Sequence, residues 1–175
     1  MPHRPLAYLA GPDVFHPRAR SLGRTLCELA ESAGITAYYP LDGEIDPRAF
    51  TERSRMAAHI RRLNLDAIRR ADLVLANMTP FRGPGMDGGT AYEMGFAEAL
   101  GKPVFRYSTI PLAAYRERIR CRRVGGRLVC EEGLEVEDLE LSDNLMMACV
   151  DEAPIYHGFA AALGAARAWL DERGA

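Results

Sequence analysis

The apolar positions of this chain fall into short unbroken runs separated by longer stretches with helical spacing. Leu6-Ala7-Tyr8-Leu9-Ala10, stopped by Gly11-Pro12, and Ala71-Asp72-Leu73-Val74-Leu75-Ala76-Asn77 are nearly continuous, as expected of strands buried on both faces. Ile35 to Tyr39, closed by Pro40, and Lys102 to Tyr107 read as two more strands. Between the first two strands, Arg18 to Ala33 carries Ala19, Leu22, Leu26, Leu29, Ala30 and Ala33 at helical spacing, with Gly34 placed as a C-cap. The polar, proline-bearing stretch from Leu41 to Phe50 reads as a loop. Thr51 is positioned to cap a second helix reaching about Arg70, with Met56, Ile60, Leu63, Ala67 and Ile68 as its apolar stripe. A third helix is expected from about Gly89 to Leu100, ended by Gly101.

Strands alternating with helices of this kind predict an α/β fold, a doubly wound parallel sheet of about five strands flanked by helices. Past Tyr107 the alternation is less regular. Leu112 to Arg120 is compatible with a helix, and Gly125-Gly126 with a hairpin turn inside Arg122 to Val129. Glu131 to Glu140 reads as an exposed acidic segment. Leu145 to Val150 reads as a last strand or a short helix, and His157 to Leu170 as a closing amphipathic helix.

Composition narrows the function classes. At 175 residues the chain is expected to form one domain over 1–175. Its 22 Lys and Arg against 24 Asp and Glu, a net charge of -2, provide no basic footprint for a polynucleotide or an anionic membrane. The densest basic cluster, Arg116, Arg118, Arg120, Arg122 and Arg123, is interleaved with Glu117 and apolar residues and reads as a solvated face or a partner contact. Cys27, Cys121, Cys130 and Cys149 have no CxxC spacing, so neither a zinc site nor a redox motif is indicated, and buried thiols are expected. The apolar run Leu6 to Ala10 is too short for a secretory leader or a membrane span, which makes the cytoplasm the expected location. No cofactor and no metal are expected.

The stretch with the most chemistry is Asp87-Gly88-Gly89-Thr90-Ala91-Tyr92-Glu93, two carboxylates six positions apart across a glycine turn that opens a helix. It follows a buried strand, so it belongs at the strand's carboxyl end, where open α/β sheets bind ligands. Glu93 in the first turn would feel the positive end of the helix dipole, which favours an ionised carboxylate. Asp87, before the helix, would have a different neighbourhood, and two carboxyls with unequal protonation suit retaining glycosidic cleavage. The alternative is that Asp87 only caps the helix and Glu93 is a surface residue. A phosphate cradle at the two glycines is disfavoured by the flanking carboxylates, and the spacing is not the GxGxxG of a dinucleotide site.

Tyr8-Leu9-Ala10-Gly11-Pro12-Asp13-Val14-Phe15, Asn64-Leu65-Asp66, Thr79-Pro80-Phe81-Arg82-Gly83 with Asp87 to Gly95, and Asn144-Leu145-Met146 together resemble the nucleoside 2-deoxyribosyltransferases. The resemblance implies a flavodoxin-like sheet and transfer of 2-deoxyribose between nucleobases through a covalent glycosyl-enzyme. It implies Glu93 as nucleophile, Tyr8 as the tyrosine that positions it, and Asp87 and Asp66 as aspartates near the base, Asp87 being the expected general acid. Gly11, Asp13, Phe15, Phe81, Gly89, Asn144 and Met146 are the implied substrate-binding positions. Phe15 and Phe81 would stack on or wall off the base, or serve as ordinary loop anchors. A carboxylate at Asp13 would repel a 5'-phosphate, which favours free nucleosides.

The same resemblance implies 2'-deoxynucleosides and free nucleobases as partners in nucleotide salvage. It also implies a homo-oligomer, a dimer or multiples of one, in which Asn144 and Met146 reach into a neighbour's site. The alternatives are an N-glycoside hydrolase of nucleosides or nucleoside 5'-monophosphates and, from a different class, a non-catalytic nucleoside-binding module.

Overall fold

A computed structural model of the chain describes residues 4–43, 45–149 and 154–174. In chain order the strands are β1 (Leu6–Ala10), β2 (Thr36–Tyr38), β3 (Leu73–Asn77), β4 (Val104–Ser108), β5 (Cys121–Val124), β6 (Arg127–Cys130) and β7 (Tyr156–His157). The α-helices are α1 (Ala19–Ser32), α2 (Arg53–Arg70), α3 (Gly88–Ala99), α4 (Leu145–Ala148) and α5 (Phe159–Glu172). Five strands form one parallel sheet in the order β2-β1-β3-β4-β7, the flavodoxin-like doubly wound arrangement.

The unbroken apolar runs have a direct cause, since both faces of the sheet are covered. Ala7 and Leu9 of β1 and Leu73 and Leu75 of β3 meet Leu26 and Ala30 of α1 and Leu163, Ala166 and Leu170 of α5. The alternate residues Tyr8, Ala10, Val74 and Ala76 meet Ala67 and Ile68 of α2 and Met94 and Ala97 of α3. Every residue of β3 is buried. Tyr8 therefore points toward the layer formed by α2 and α3.

The first four strands and α1 to α3 stand where the periodicity put them, with Gly34 left-handed at the end of α1 (φ 77). The hairpin also forms: β5 and β6 pair antiparallel around Gly125-Gly126, whose φ values of 57 and 85 make the two-residue turn that a right-twisted hairpin needs. Three expectations are corrected and one open alternative is decided. Thr51 does not cap α2; Glu52 occupies that position and makes no side-chain cap bond. Leu112 to Arg120 contains only a 3-10 turn, Tyr115–Arg118, because Pro111 and the hydrogen bond from Tyr115 N to Leu141 O tie this stretch to another segment. Leu145 to Ala148 is the short helix α4, Val150 lying outside the described residues, and the fifth strand is Tyr156–His157. The cysteines are not buried thiols: Cys27, Cys121 and Cys130 are partly exposed and Cys149 is exposed.

The insertion between β4 and α4 explains the basic cluster. Arg116 pairs with Asp138 and Glu140, Arg123 with Asp138, Arg127 with Glu135, and Arg120 with Glu131. The arginines are matched by the acidic segment that follows them, an arrangement whose individual exposed pairs are each weak. Among the described residues no helix is long and apolar enough to cross a membrane.

One packing contact offers a test of the α1 layer. Gly23 lies against the ring of Tyr39, and a Cβ there would fall 2.3 Å from Tyr39 Cδ1. Gly23→Ala is expected to lower the unfolding free energy by about 1–3 kcal/mol, read by urea titration, although alanine is the better helix former. An unchanged or raised midpoint would show that the ring moves freely.

Candidate active site

β1 is flanked by β2 on one side and β3 on the other, so the chain's crossovers leave a crevice beyond the carboxyl ends of β1 and β3. Gly11 ends β1 in close contact with β3: a Cβ there would lie 2.7 Å from Asn77 Cβ and 2.8 Å from Asp13 Oδ2. Asn77, the last residue of β3, donates from Nδ2 to Asp13 Oδ2 at 2.9 Å. Its Oδ1 accepts from Thr79 N at 3.0 Å and from Thr79 Oγ1 at 2.5 Å, and Thr109 N donates to Thr79 Oγ1 at 2.9 Å. These bonds orient the amide, and the amide holds the Asp13 carboxylate in place.

On the α2/α3 side of the crevice stands Glu93. The Tyr8 hydroxyl donates to Glu93 Oε1 at 2.6 Å, and Asn64 Nδ2 of α2 donates to the same oxygen at 3.5 Å. Among the described residues Oε2 has no hydrogen-bond partner. Tyr8 is fully buried, and burial together with the neighbouring carboxylate pushes its phenol well above the usual range, so it remains a protonated donor. Burial also raises Glu93, against the lowering effect of the Tyr8 and Asn64 bonds and with a further push from the negative Asp87, to about 7. The carboxylate is therefore poised near neutrality, which corrects the expectation of a first-turn group kept ionised by the helix dipole: Glu93 lies beyond the first turn of α3, and burial outweighs any such effect.

Asp87 is the N-cap of α3: its Oδ2 accepts from Thr90 N at 2.8 Å and from Thr90 Oγ1 at 2.9 Å. A Cβ on Gly89 would come 3.0 Å from Asp87 Oδ2, so the glycine keeps the turn tight around that carboxylate. Asp87 thus caps α3, as the plainer alternative expected, but Glu93 is a largely buried group within reach of the Asp87 charge and not a surface residue.

Phe15 and Phe81 stack on each other with centroids 5.0 Å apart. The Arg82 guanidinium lies 4.5 Å from the Phe81 centroid and 5.0 Å from that of Phe15, on a backbone with φ 54. Both rings line a cleft of about 300 Å³ with Asp13, Asn77, Thr79 and Thr109.

Not every expected position joins these groups. Asp66 is exposed on α2 and paired with Arg69 at 2.6 Å. Positions two apart on a helix point about 200° apart, so with Asn64 turned toward Glu93, Asp66 is turned away. Asn144 caps α4 by accepting from Met146 N at 3.0 Å, and Met146 is 76% exposed. Neither has a hydrogen bond to Tyr8, Asn64, Asp87 or Glu93 among the described residues.

Sequence reasoning missed three residues. Asn64 sits one turn from both Ile60 and Ile68, and a polar residue within an apolar stripe was the available signal. Arg82 carried no pattern that announced its stack. Asp143, 6% exposed, accepts from Met86 N at 2.8 Å and Asn144 N at 2.9 Å, and so ties the insertion's end to the loop that leads into Asp87. A contact across 57 positions leaves no local trace.

Comparisons with known proteins bear on the family and the fold. The sequence profile described as Nucleoside 2-deoxyribosyltransferase matches residues 7–146. A solved structure described as a 2-desoxiribosyltransferase from Leishmania mexicana superposes with a TM-score of 0.73 at 30% identity, covering 94% of this chain and 97% of that one. An uncharacterized protein of Schizosaccharomyces pombe is 35% identical over 124 residues, 70% of this chain; the matched stretch spans 58% of that relative's length.

The burial of Glu93 sets a sign for stability against pH. Because the folded chain holds this proton up to about pH 7, the stabilisation is complete below the ordinary carboxylate pKa and is lost as pH rises through about 7. Glu93→Gln cannot ionise and still offers Tyr8 an acceptor. In urea titrations it is expected to exceed the unmodified chain at pH 8 by an amount on the order of 3 kcal/mol, with the gap closing at pH 4. A gap that does not change with pH would mean that Glu93 titrates like an exposed carboxylate.

Proposed function

The chain belongs to the nucleoside 2-deoxyribosyltransferase family, and on that premise we propose that it transfers 2-deoxyribose between nucleobases by retaining double displacement at Glu93. The observation that carries the reading is the bonding of Glu93, with Oε1 held by Tyr8 and Asn64 and Oε2 left without a partner among the described residues. A carboxylate held through one oxygen can attack through the other.

In this reading Glu93 Oε2 attacks C1' of a 2'-deoxynucleoside and the N-glycosidic bond breaks. Asp87, in the form of the pair that has Glu93 ionised and the shared proton on Asp87, gives that proton to the departing base through Oδ1, Oδ2 being engaged by Thr90. A second base then attacks C1' of the glycosyl ester, loses a proton to Asp87, and frees Glu93, with net retention after two inversions. Phe15 and Phe81 supply apolar faces for the base. Asp13, held by Asn77, disfavours a 5'-phosphate and so favours free nucleosides. A neighbouring subunit completes the site through Asn144 and Met146, a role supported by the exposure of Met146.

Incubation of deoxyinosine with adenine is expected to yield deoxyadenosine, followed by chromatography, with Glu93→Ala lowering the rate by at least about 10³-fold. Free base released at the same rate with and without adenine, and no new nucleoside, would mean hydrolysis instead; exchange surviving in Glu93→Ala would remove Glu93 as nucleophile. The exchange rate under saturating substrate is expected to fall on the acid side with a midpoint near pH 7, because Glu93 attacks only when ionised. Tyr8→Phe removes a bond that lowers the Glu93 pKa, so that midpoint is expected to move upward. A midpoint that stays in place would separate Tyr8 from the titration of Glu93.

A further inference from the structure

We propose that Cys121 and Cys130 form a reversible intrachain disulfide that clasps the open end of the β5–β6 hairpin. The two residues are directly opposite in the antiparallel register, Cys121 against Cys130. Which kind of pair they form follows from the bonds that β6 makes on its other side. Cys130 N donates to Leu134 O at 2.9 Å and Val136 N donates to Leu128 O at 2.9 Å, so the backbone groups of Leu128 and Cys130 face away from β5. Cys121 and Cys130 thus occupy a non-hydrogen-bonded position, where opposed Cα atoms approach to about 4.5 Å and side chains lean together on one face. That separation falls within the range that a disulfide spans without backbone movement.

Both thiols are free and partly exposed, and both line a cleft of about 180 Å³ with Arg120, Arg122, Val129 and Glu131. Neither thiol is held firmly. Cys121 Sγ is 3.7 Å from Arg116 O and Cys130 Sγ is 3.6 Å from Glu132 Oε2, long contacts that a χ1 rotation releases. The oxidant is a low-molecular-weight disulfide. One cysteine, as thiolate, attacks it, forming a mixed disulfide and expelling one thiol. The second cysteine attacks the mixed sulfur, closes the Cys121–Cys130 bond and expels the other thiol. Two cysteine S–H bonds are lost and the small disulfide is reduced to two thiols.

The clasp has a mechanical neighbour. From Cys130 the chain runs through Asp138, paired with Arg116 and Arg123, to Asp143, which holds Met86 beside Asp87. Closing the hairpin's open end fixes the start of the segment that supports this loop.

The test uses the full chain carrying Cys149→Ser, so that Cys130 is the only cysteine between Leu128 and the next tryptic site at Arg167. After equilibration with oxidised glutathione, alkylation of free thiols and trypsin digestion without reductant, the Cys121-Arg122 fragment is expected to remain joined to the peptide beginning at Leu128. The product should lack two hydrogens relative to the separate peptides, and dithiothreitol should part them. Further substitution of Cys121→Ser or Cys130→Ser is expected to leave a stable glutathione adduct on the remaining thiol. Both thiols staying alkylatable, a bond to Cys27, or disulfides joining two chains would overturn the proposal.

Discussion

An ionised carboxylate withdrawn from water must be compensated, and the arrangement of this molecule around Glu93 follows from that requirement. Glu93 projects from α3, the hydroxyl of Tyr8 reaches it from β1, and the amide of Asn64 reaches it from α2. Three elements meet there because α2 and α3 cover the same face of the sheet, the face toward which Tyr8 and Ala10 alternate. The donors do not fully offset burial, and Asp87 adds a second negative charge, so the group holds its proton to about pH 7. A site that binds a proton this firmly is less stable once ionised, and that cost is compatible with a carboxylate retained for its reactivity.

A second constraint lies outside the sheet. The loop from Met78 to Asp87 has no regular structure, yet it sets Asp87 where its charge acts on Glu93. It is held at one end by the Asn77–Thr79–Thr109 bonds, in the middle by Arg82 over Phe81 and Phe15, and before α3 by Asp143. Asp143 belongs to an insertion whose own core is small, Val136 being its main buried apolar residue besides half-buried neighbours. Hydrogen bonds and matched charges, rather than apolar area, hold that insertion in register. The positive φ at Arg82 is the backbone conformation that lets its guanidinium turn back over both rings.

Much of the fold was legible as pattern. Continuous apolar runs marked strands buried on two faces, 3.6-residue spacing marked α1, α2 and α3, and the paired glycines marked the hairpin, because each is a local response of the backbone to burial or to turn geometry. The two-residue strand β7 was not legible: Tyr156 and His157 pair only because β4 offers an open edge beside them. The basic cluster at Arg116 to Arg123 had no visible partner until the return of the chain placed Asp138 and Glu140 beside it.

For the site, sequence by itself determined that Asp87 and Glu93 bracket a helix start at a strand's carboxyl end, since a glycine turn after a buried run leaves little else. It also determined the family, through motifs that keep their order along most of the chain. Only the tertiary structure decided that Asn64 and not Asp66 reaches Glu93, since helical phase relative to the sheet is set by packing. It alone set Cys121 opposite Cys130, because strand register, not spacing along the chain, brings those thiols together. And it alone took Glu93 out of water, because burial is a property of the assembled layers that no single segment carries.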